Sequence, residues 1–278
     1  MSANNEPWTE VHEHKGEQFR LGCIPETSET RGEFLRASRF PFPLMPRKDW
    51  RPIDRRKRFR ELGTMNPQVW SNGCVGFSFA TLLAKLRVLM NQAFVPLSGA
   101  YAYSLVNGGS DNGAQISSMM TAGLKMGCAT NAAVPLSKAN IYRKATTAHD
   151  GEARRNLLYL AFPIQNFEEF GTTLQMRGLV QFAVRVGNNF SSLNSKAIAG
   201  FSSGPANHSV GADGMVFDQD SGLWLPDVEN TWDYNWGDDG RFRWREDYFA
   251  RTGYQDAFGI VGVVDDREDA DNPPDPVS

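Results

Sequence analysis

Three polar residues, widely separated in the chain, carry the chemistry that this sequence can perform. Cys74 opens a long apolar segment, His208 opens a strand-like one, and Asn230 ends the next strand-like segment. A thiol can attack a carbonyl carbon, an imidazole can take up and return its proton, and a carboxamide can hold that imidazole in one orientation. The combination predicts acyl transfer from an amide to Cys74. A lone buried Cys is usually structural, so the prediction depends on all three residues together.

Two further side chains fit the same chemistry. Cys74 lies where a Gly-containing turn feeds a predicted helix, and the backbone N–H groups and dipole of a helix start favour a thiolate. Gln68, six residues earlier, can place its amide N–H beside the oxygen that the Cys74 N–H reaches, which predicts an oxyanion hole. Trp232 follows Asn230 closely and is predicted to shield the hydrogen bond between His208 and Asn230 from water.

The elements that must position these residues change from helices to strands along the chain. Helices are predicted over about 75–92, 98–106, 114–126 and 166–178. Strands are predicted over 179–186, 208–217, 223–230, 240–244 and 257–264, with turns at 220–222 and 238–240. Helices followed by strands predict an α+β protein with a cleft between two lobes.

The chain divides by composition into three parts. Residues 1–66 are rich in Arg, Pro and Glu and are predicted to form an extended arm. Residues 67–265 are predicted to form a catalytic domain, with a helical lobe at about 67–160 and a β lobe at about 161–265. Residues 266–278 form an acidic, Pro-rich tail.

Composition narrows the class of protein. The net charge of −3 gives no overall field that attracts nucleic acid, and no apolar stretch approaches the length of a membrane span. The polar N-terminus does not resemble a secretory signal, so we expect a cytoplasmic protein. Three cysteines predict free thiols in a reducing compartment, although a bridge between Cys23 and Cys128 stays open. The His and Cys spacings differ from those of zinc sites, so neither a metal nor another cofactor is expected.

At these residues the chain resembles the papain-like cysteine peptidases, over roughly residues 20–265. The matching positions are Gln68, Cys74, Asn207-His208, Asn230-Thr231-Trp232, Asn235-Trp236-Gly237 and 240–244. The resemblance implies a papain-like two-lobed fold, with a helical left lobe, an antiparallel β-barrel-like right lobe and the active site in the cleft between them. Leu21-Gly22-Cys23-Ile24-Pro25 followed by Thr30-Arg31 is similar to the start of bacterial and bacteriophage-type members.

Departures from the family pattern are local. Val75 stands where a Trp usually follows the nucleophile, and Ser71 replaces a Cys, so the customary disulfide cannot form. Asn112 and Gly113 partly match the strip that pairs with a peptide substrate in the family. By the same resemblance these two residues, together with Asn207, are expected to bind substrate.

The resemblance implies a thiol-dependent hydrolase of peptide bonds that acts through an acyl-enzyme and has a peptide or protein as its substrate. One alternative is a catalytically silent structural protein of the same fold, such as a phage virion or host-entry component that docks to other virion or host proteins. Another is an amidase or transferase that uses the same three residues on a non-protein amide.

The arm carries a separate expectation. Inhibitory pro-segments of the lysosomal relatives are largely helical, whereas residues 20–66 have no long helical pattern. We therefore expect this segment to pack along the two-lobed body as part of the mature fold, and not across the cleft as a removable inhibitor.

Overall fold

The computed structural model describes residues 11–14, 17–27, 39–142, 149–188, 190, 192–252 and 256–265. Buried apolar side chains form two clusters, one centred on the helices of the first half and one on the strands of the second. The predicted α+β fold with two lobes is confirmed. Thr30-Arg31 and the acidic tail at 266–278 lie outside the described residues.

The helices lie mostly in the first half of the chain. They are α1 (Arg56–Leu62), α2 (Cys74–Leu89), α3 (Gly99–Ser104), α4 (Ile116–Met126), α5 (Lys138–Tyr142), α6 (Asp150–Ala153), α7 (Phe167–Gln175) and α8 (Glu246–Thr252). Helix α2 is the centre of the helical lobe, because nearly all of its side chains are apolar and buried. Gly76 lets α3 approach α2 closely, since a Cβ there would lie 2.4 Å from the Tyr103 backbone nitrogen.

One six-stranded antiparallel sheet forms the β lobe, and a two-stranded hairpin lies near the N-terminus. The hairpin pairs β1 (Val11–His14) with β2 (Glu17–Arg20). The large sheet has the order β3-β8-β4-β5-β6-β7 and consists of β3 (Leu157–Pro163), β4 (Leu179–Val184), β5 (His208–Asp218), β6 (Leu223–Glu229), β7 (Arg241–Arg243) and β8 (Ala257–Val264). In the described residues β3 and β7 are opposite edges, so the sheet is open and not closed into a barrel.

The second part of the arm is built into the β lobe. Trp50 is buried, with its ring 5.6 Å from that of Trp224, and its indole N–H donates to the Met45 carbonyl. Ile53 pairs with Met215 of β5 through two backbone hydrogen bonds. Residues 42–62 therefore pack along the body, as expected for this part of the arm.

No helix among the described residues has the length and apolar character that crossing a membrane requires.

Candidate active site

Cys74 and His208 meet where the start of α2 faces the start of β5. Both side chains are fully buried, and the Ser209 N–H donates to the Cys74 sulfur across 3.4 Å. Gly73 precedes α2 without a capping side chain, so the first N–H groups of the helix stay near the sulfur. The helix start and the strand start thus bring together two residues that are far apart in sequence.

Asn230 completes the arrangement at the end of β6. Its Oδ1 lies 2.7 Å from Nε2 of His208 and also accepts the Thr231 N–H at 2.8 Å. Because this oxygen can only accept, Nε2 carries the proton in the neutral ring and Nδ1 is left as the basic atom. The buried Trp232 ring lies 4.9 Å from that of His208, and its role in shielding this hydrogen bond stays a prediction.

Gln68 is held rigidly beside Cys74. Its Oε1 accepts the Thr231 hydroxyl at 2.5 Å, and its Nε2 donates to the Ser71 carbonyl at 2.8 Å. The same Nε2 donates to the backbone carbonyl of Arg20 at 2.8 Å. A carbonyl of the arm therefore accepts from the amide that the sequence predicts to polarise a substrate carbonyl.

The first part of the arm, residues 17–26, lies across this cleft, so the expectation that residues 20–66 avoid the cleft is wrong for residues 20–26. The Gly22 N–H bonds to the Cys74 sulfur, and the Cys23 N–H donates to the Asn207 carbonyl at 3.1 Å. The Ala114 N–H donates to the Gly22 carbonyl, and the Ile24 N–H donates to the Ala114 carbonyl, each at 2.9 Å. These two bonds form a parallel β-bridge between Cys23 and Ala114. The segment lacks a helical pattern because it is bound as an extended strand.

Side chains hold the same segment at both of its ends. The rings of His12 and Phe19 stack on Trp232, at 5.2 and 4.7 Å. At the other end, the Glu26 carboxylate accepts the Ser117 N–H and hydroxyl at 2.8 and 2.7 Å, at the start of α4. The Glu26 N–H donates to Asp256 at 2.7 Å.

The fit at Gly22 is especially close. A Cβ at this position would lie 1.7 Å from the Asn72 carbonyl oxygen, a distance no real contact reaches. The arm can therefore pass over Cys74 only with glycine at this position.

The residues expected to bind substrate fall into two groups. Gly113 and the exposed Asn112 adjoin the backbone strip that the arm pairs with, although the pairing atoms belong to the next residue of that motif, Ala114. The Asn207 side chain bonds instead to the Val186 backbone, accepting at 2.8 Å and donating at 3.2 Å. The backbone carbonyl of Asn207 accepts the Cys23 N–H in the cleft, whereas its side-chain amide fixes the loop before β5.

The protonation states differ from the sequence expectation. Burial raises the pKa of the Cys74 thiol to about 12, and the N–H groups of Ser209, Gly22 and Val75 offset only part of this effect. Burial also lowers the pKa of His208 to about 4, against the opposing effect of the Asn230 hydrogen bond. With the arm in place, burial favours the neutral form of each group, a thiol at Cys74 and an imidazole at His208, over a thiolate–imidazolium ion pair.

Asp111 holds the turn before Cys74 through hydrogen bonds. Its carboxylate accepts the Asn72 N–H at 2.8 Å and the Tyr103 hydroxyl at 3.0 Å. Cys23, Cys74 and Cys128 are all free, so the Cys23–Cys128 bridge is not formed. Sequence reasoning missed Asp111 because Asn72, the turn residue that it holds, lies 39 positions away in the chain.

A cavity of about 240 Å³ opens beside the cleft. Its walls include the apolar Phe182, Phe249 and Ala206, with Arg185 and Asp256 as charged groups. Within the described ranges, no three His, Cys, Asp or Glu side chains lie close enough to share a metal ion.

Comparisons with known proteins agree with the fold. The family model "Papain family cysteine protease" matches residues 48–258, well over half of the chain. The fold is similar to bromelain from Ananas comosus in complex with the E64 inhibitor (20% identity, 73% of this chain and 96% of that chain, TM-score 0.59). It is also similar to xylellain, a cysteine protease from Xylella fastidiosa (16%, 88% and 91%, TM-score 0.59), and to procathepsin B S9 from Trypanosoma congolense (15%, 87% and 82%, TM-score 0.61). No curated protein matches the chain in sequence.

Proposed function

Because this chain belongs to the papain family of cysteine proteases, we propose that it hydrolyses peptide bonds through Cys74, His208 and Asn230. The observation that carries the assignment is the 2.7 Å contact between His208 Nε2 and Asn230 Oδ1. That contact leaves Nδ1 as the basic atom, and within the described residues Nδ1 has no hydrogen-bond partner. A base at this position can take the proton of Cys74.

The reaction then follows from ordinary acyl-transfer chemistry. His208 Nδ1 takes the thiol proton, and the sulfur bonds to the substrate carbonyl carbon while Gln68 and the Cys74 N–H stabilise the oxyanion. The imidazolium returns the proton to the leaving nitrogen as the C–N bond breaks. Water activated by the same Nδ1 adds to the thioester, the C–S bond breaks, and a carboxylic acid and the free thiol result.

The cleft supports an extended peptide as substrate. Ala114 offers an N–H and a carbonyl, Asn207 offers a carbonyl, and Gly113 leaves room for a backbone to approach. The cavity lined by Phe182 and Ala206 would receive one side chain. These are the groups that the arm now uses, so we assign the described conformation to a latent form in which residues 17–26 must leave before substrate binds.

Two finer assignments belong to the same proposal. The segment Leu21–Pro25 supports a bacterial or phage-type subgroup, and for such a protein we propose a cytoplasmic or virion-associated location. A catalytically silent structural role is the second candidate, because the occupied cleft and the Cys74 pKa of about 12 fit it equally well.

Labelling with a papain-family epoxide inhibitor distinguishes the two candidates. We expect mass spectrometry to find the label on Cys74 and none on Cys74→Ser, with Cys128 unlabelled as the internal control.

Asn230→Ala should lower kcat on a peptide substrate and leave KM nearly unchanged, since Asn230 orients the base and does not hold substrate. If neither label nor turnover is found, even when residues 17–26 have been displaced from the cleft, the catalytically silent structural role is the remaining candidate.

A further inference from the structure

A cluster of buried charges joins the elements that carry the three proposed catalytic residues. Lys85 of α2 is fully buried, yet its ammonium bonds to Asp213 of β5 and lies 3.0 Å from Glu229 of β6. Arg241 of β7 bonds to Asp213 and to Glu229, the latter at 2.8 Å. We call these four residues, with Asp227 and Arg56, the buried ion cluster.

The cluster is closed by a second arginine. Arg241 also reaches Asp227 at 3.2 Å, and Arg56 binds the same carboxylate with contacts of 2.6 to 3.0 Å. Three cations thus meet three carboxylates. Burial alone would raise the pKa of Asp213, but Arg241 and Lys85 hold it well below its usual value, so the charges are present.

The members occupy the same elements as the reacting groups. Lys85 lies about three turns along the helix that begins at Cys74. Asp213 lies on β5, the strand that begins at His208. The register of β5 against β6 shifts between Ala212 and Gly214, and an irregularity of this kind changes the direction of a side chain. Glu229 directly precedes Asn230 on β6.

We propose that Lys85 is a positioning residue, which fixes the Cys74 helix against the strands that carry His208 and Asn230 through the buried ion cluster. The inference rests on the proposed function. Loss of the ammonium would leave two arginines facing three carboxylates, so one buried negative charge would be uncompensated and the elements would separate to admit water. Displacements of this kind harm a reaction that depends on the alignment of three groups, well before the protein unfolds.

The test compares Lys85→Met with two controls in the full chain. Lys85→Arg keeps the charge, and Leu83→Ala removes buried volume from the same helix without touching the cluster. We expect Lys85→Met to lower kcat about 10- to 100-fold with KM within about twofold. Leu83→Ala should lower the melting temperature by a similar amount but keep kcat within about twofold of wild type. Lys85→Arg should keep most of the wild-type kcat, because it retains the charge.

A second readout does not depend on activity. The proton on His208 Nε2, bonded to Asn230, gives an imidazole N–H signal in NMR spectra that persists only while the bond excludes water. We expect the signal to be lost, or to exchange much faster, in Lys85→Met and to persist in both controls. Equal kcat in Lys85→Met and Leu83→Ala with the signal retained would overturn the positioning role. A wild-type chain that shows the signal but neither turnover nor epoxide label would instead refute the proposed function, and the signal would still decide the role of Lys85.

Discussion

The two parts of the N-terminal arm contact the body in different ways. Residues 17–26 bond to the Cys74 sulfur, the Gln68 amide and the Ala114 backbone, which are groups that act on a substrate in the proposed reaction. Residues 42–62 instead place Trp50 in the β core and pair Ile53 with a central strand. The first part is bound as a ligand would be, and the second is part of the fold.

This difference separates stability from latency. A segment that fills a core contributes to the free energy of unfolding, whereas a segment that fills a cleft mainly sets how often the cleft is open. Changes in the two parts should therefore alter different measurements, and four experiments test that separation.

The largest effect is expected at Trp50. Replacement by Ala removes a buried indole and should reduce the free energy of unfolding by about 3–5 kcal/mol, seen as a lower midpoint in urea. Leu44→Ala, at a side chain that is half exposed, should leave the midpoint unchanged. If Trp50→Ala mainly raised the epoxide labelling of Cys74, the second part of the arm would also be a ligand of the cleft.

The next effect is expected at Gly22. A methyl group there meets the Asn72 carbonyl at 1.7 Å, so Gly22→Ala should lift the arm from Cys74 and raise the epoxide labelling rate about 10- to 100-fold. The unfolding midpoint should move less than in Trp50→Ala. Gly151→Ala is the matched control, because a Cβ at Gly151 meets no atom within 4 Å. A labelling rate equal to wild type in Gly22→Ala would show that the arm does not limit access.

A smaller effect is expected at Glu26. Glu26→Gln keeps the shape but weakens two charge-assisted hydrogen bonds from Ser117, which should raise the labelling rate about three- to tenfold. Glu13→Gln, at an exposed position of the hairpin, should not change it. An unchanged labelling rate in Glu26→Gln would show that the contacts around Gly22, and not those of Glu26, keep the arm in the cleft.

The smallest effect concerns pH. Burial lowers the pKa of His208 from 6.5 to about 4, so the closed form is fully favoured above pH 6.5 and loses stability as the pH falls toward 4. Hydrogen-exchange protection of the Cys23 and Ile24 amides should fall by at most about tenfold per pH unit in this window. The Ile53 amide, in the other part of the arm, provides the control and should keep its protection. Stronger protection of the cleft segment at pH 5 than at pH 7.5 would contradict this coupling.

Much of the framework was predictable from local patterns. The continuous apolar run after Cys74 predicted α2 almost to its ends, and the alternation after Leu179 predicted β4. Residue types and spacing were enough to propose Cys74, His208 and Asn230, whose catalytic roles stay predictions. Such features depend on neighbours in sequence or on a family motif, which one chain can display.

The rest depended on contacts between distant segments. The charge of Lys85 was visible inside an apolar helix, but its partners Asp213 and Glu229 lie far along the chain. The course of Gly22 through the cleft could not be read from periodicity, since an extended strand bound by its backbone leaves almost no side-chain pattern. Strand β3 was missed because its apolar run does not alternate.

The turn before Cys74 is held by hydrogen bonds to Asp111 and contains no disulfide, which affects how fast the site can assemble. Hydrogen bonds from Asn72 and Tyr103 need no covalent step, whereas forming or reshuffling a disulfide takes seconds to hours. The turn that presents Cys74 therefore reaches its shape without an oxidant or an isomerase. The nucleophile also has no second cysteine beside it in the turn with which to mispair during folding.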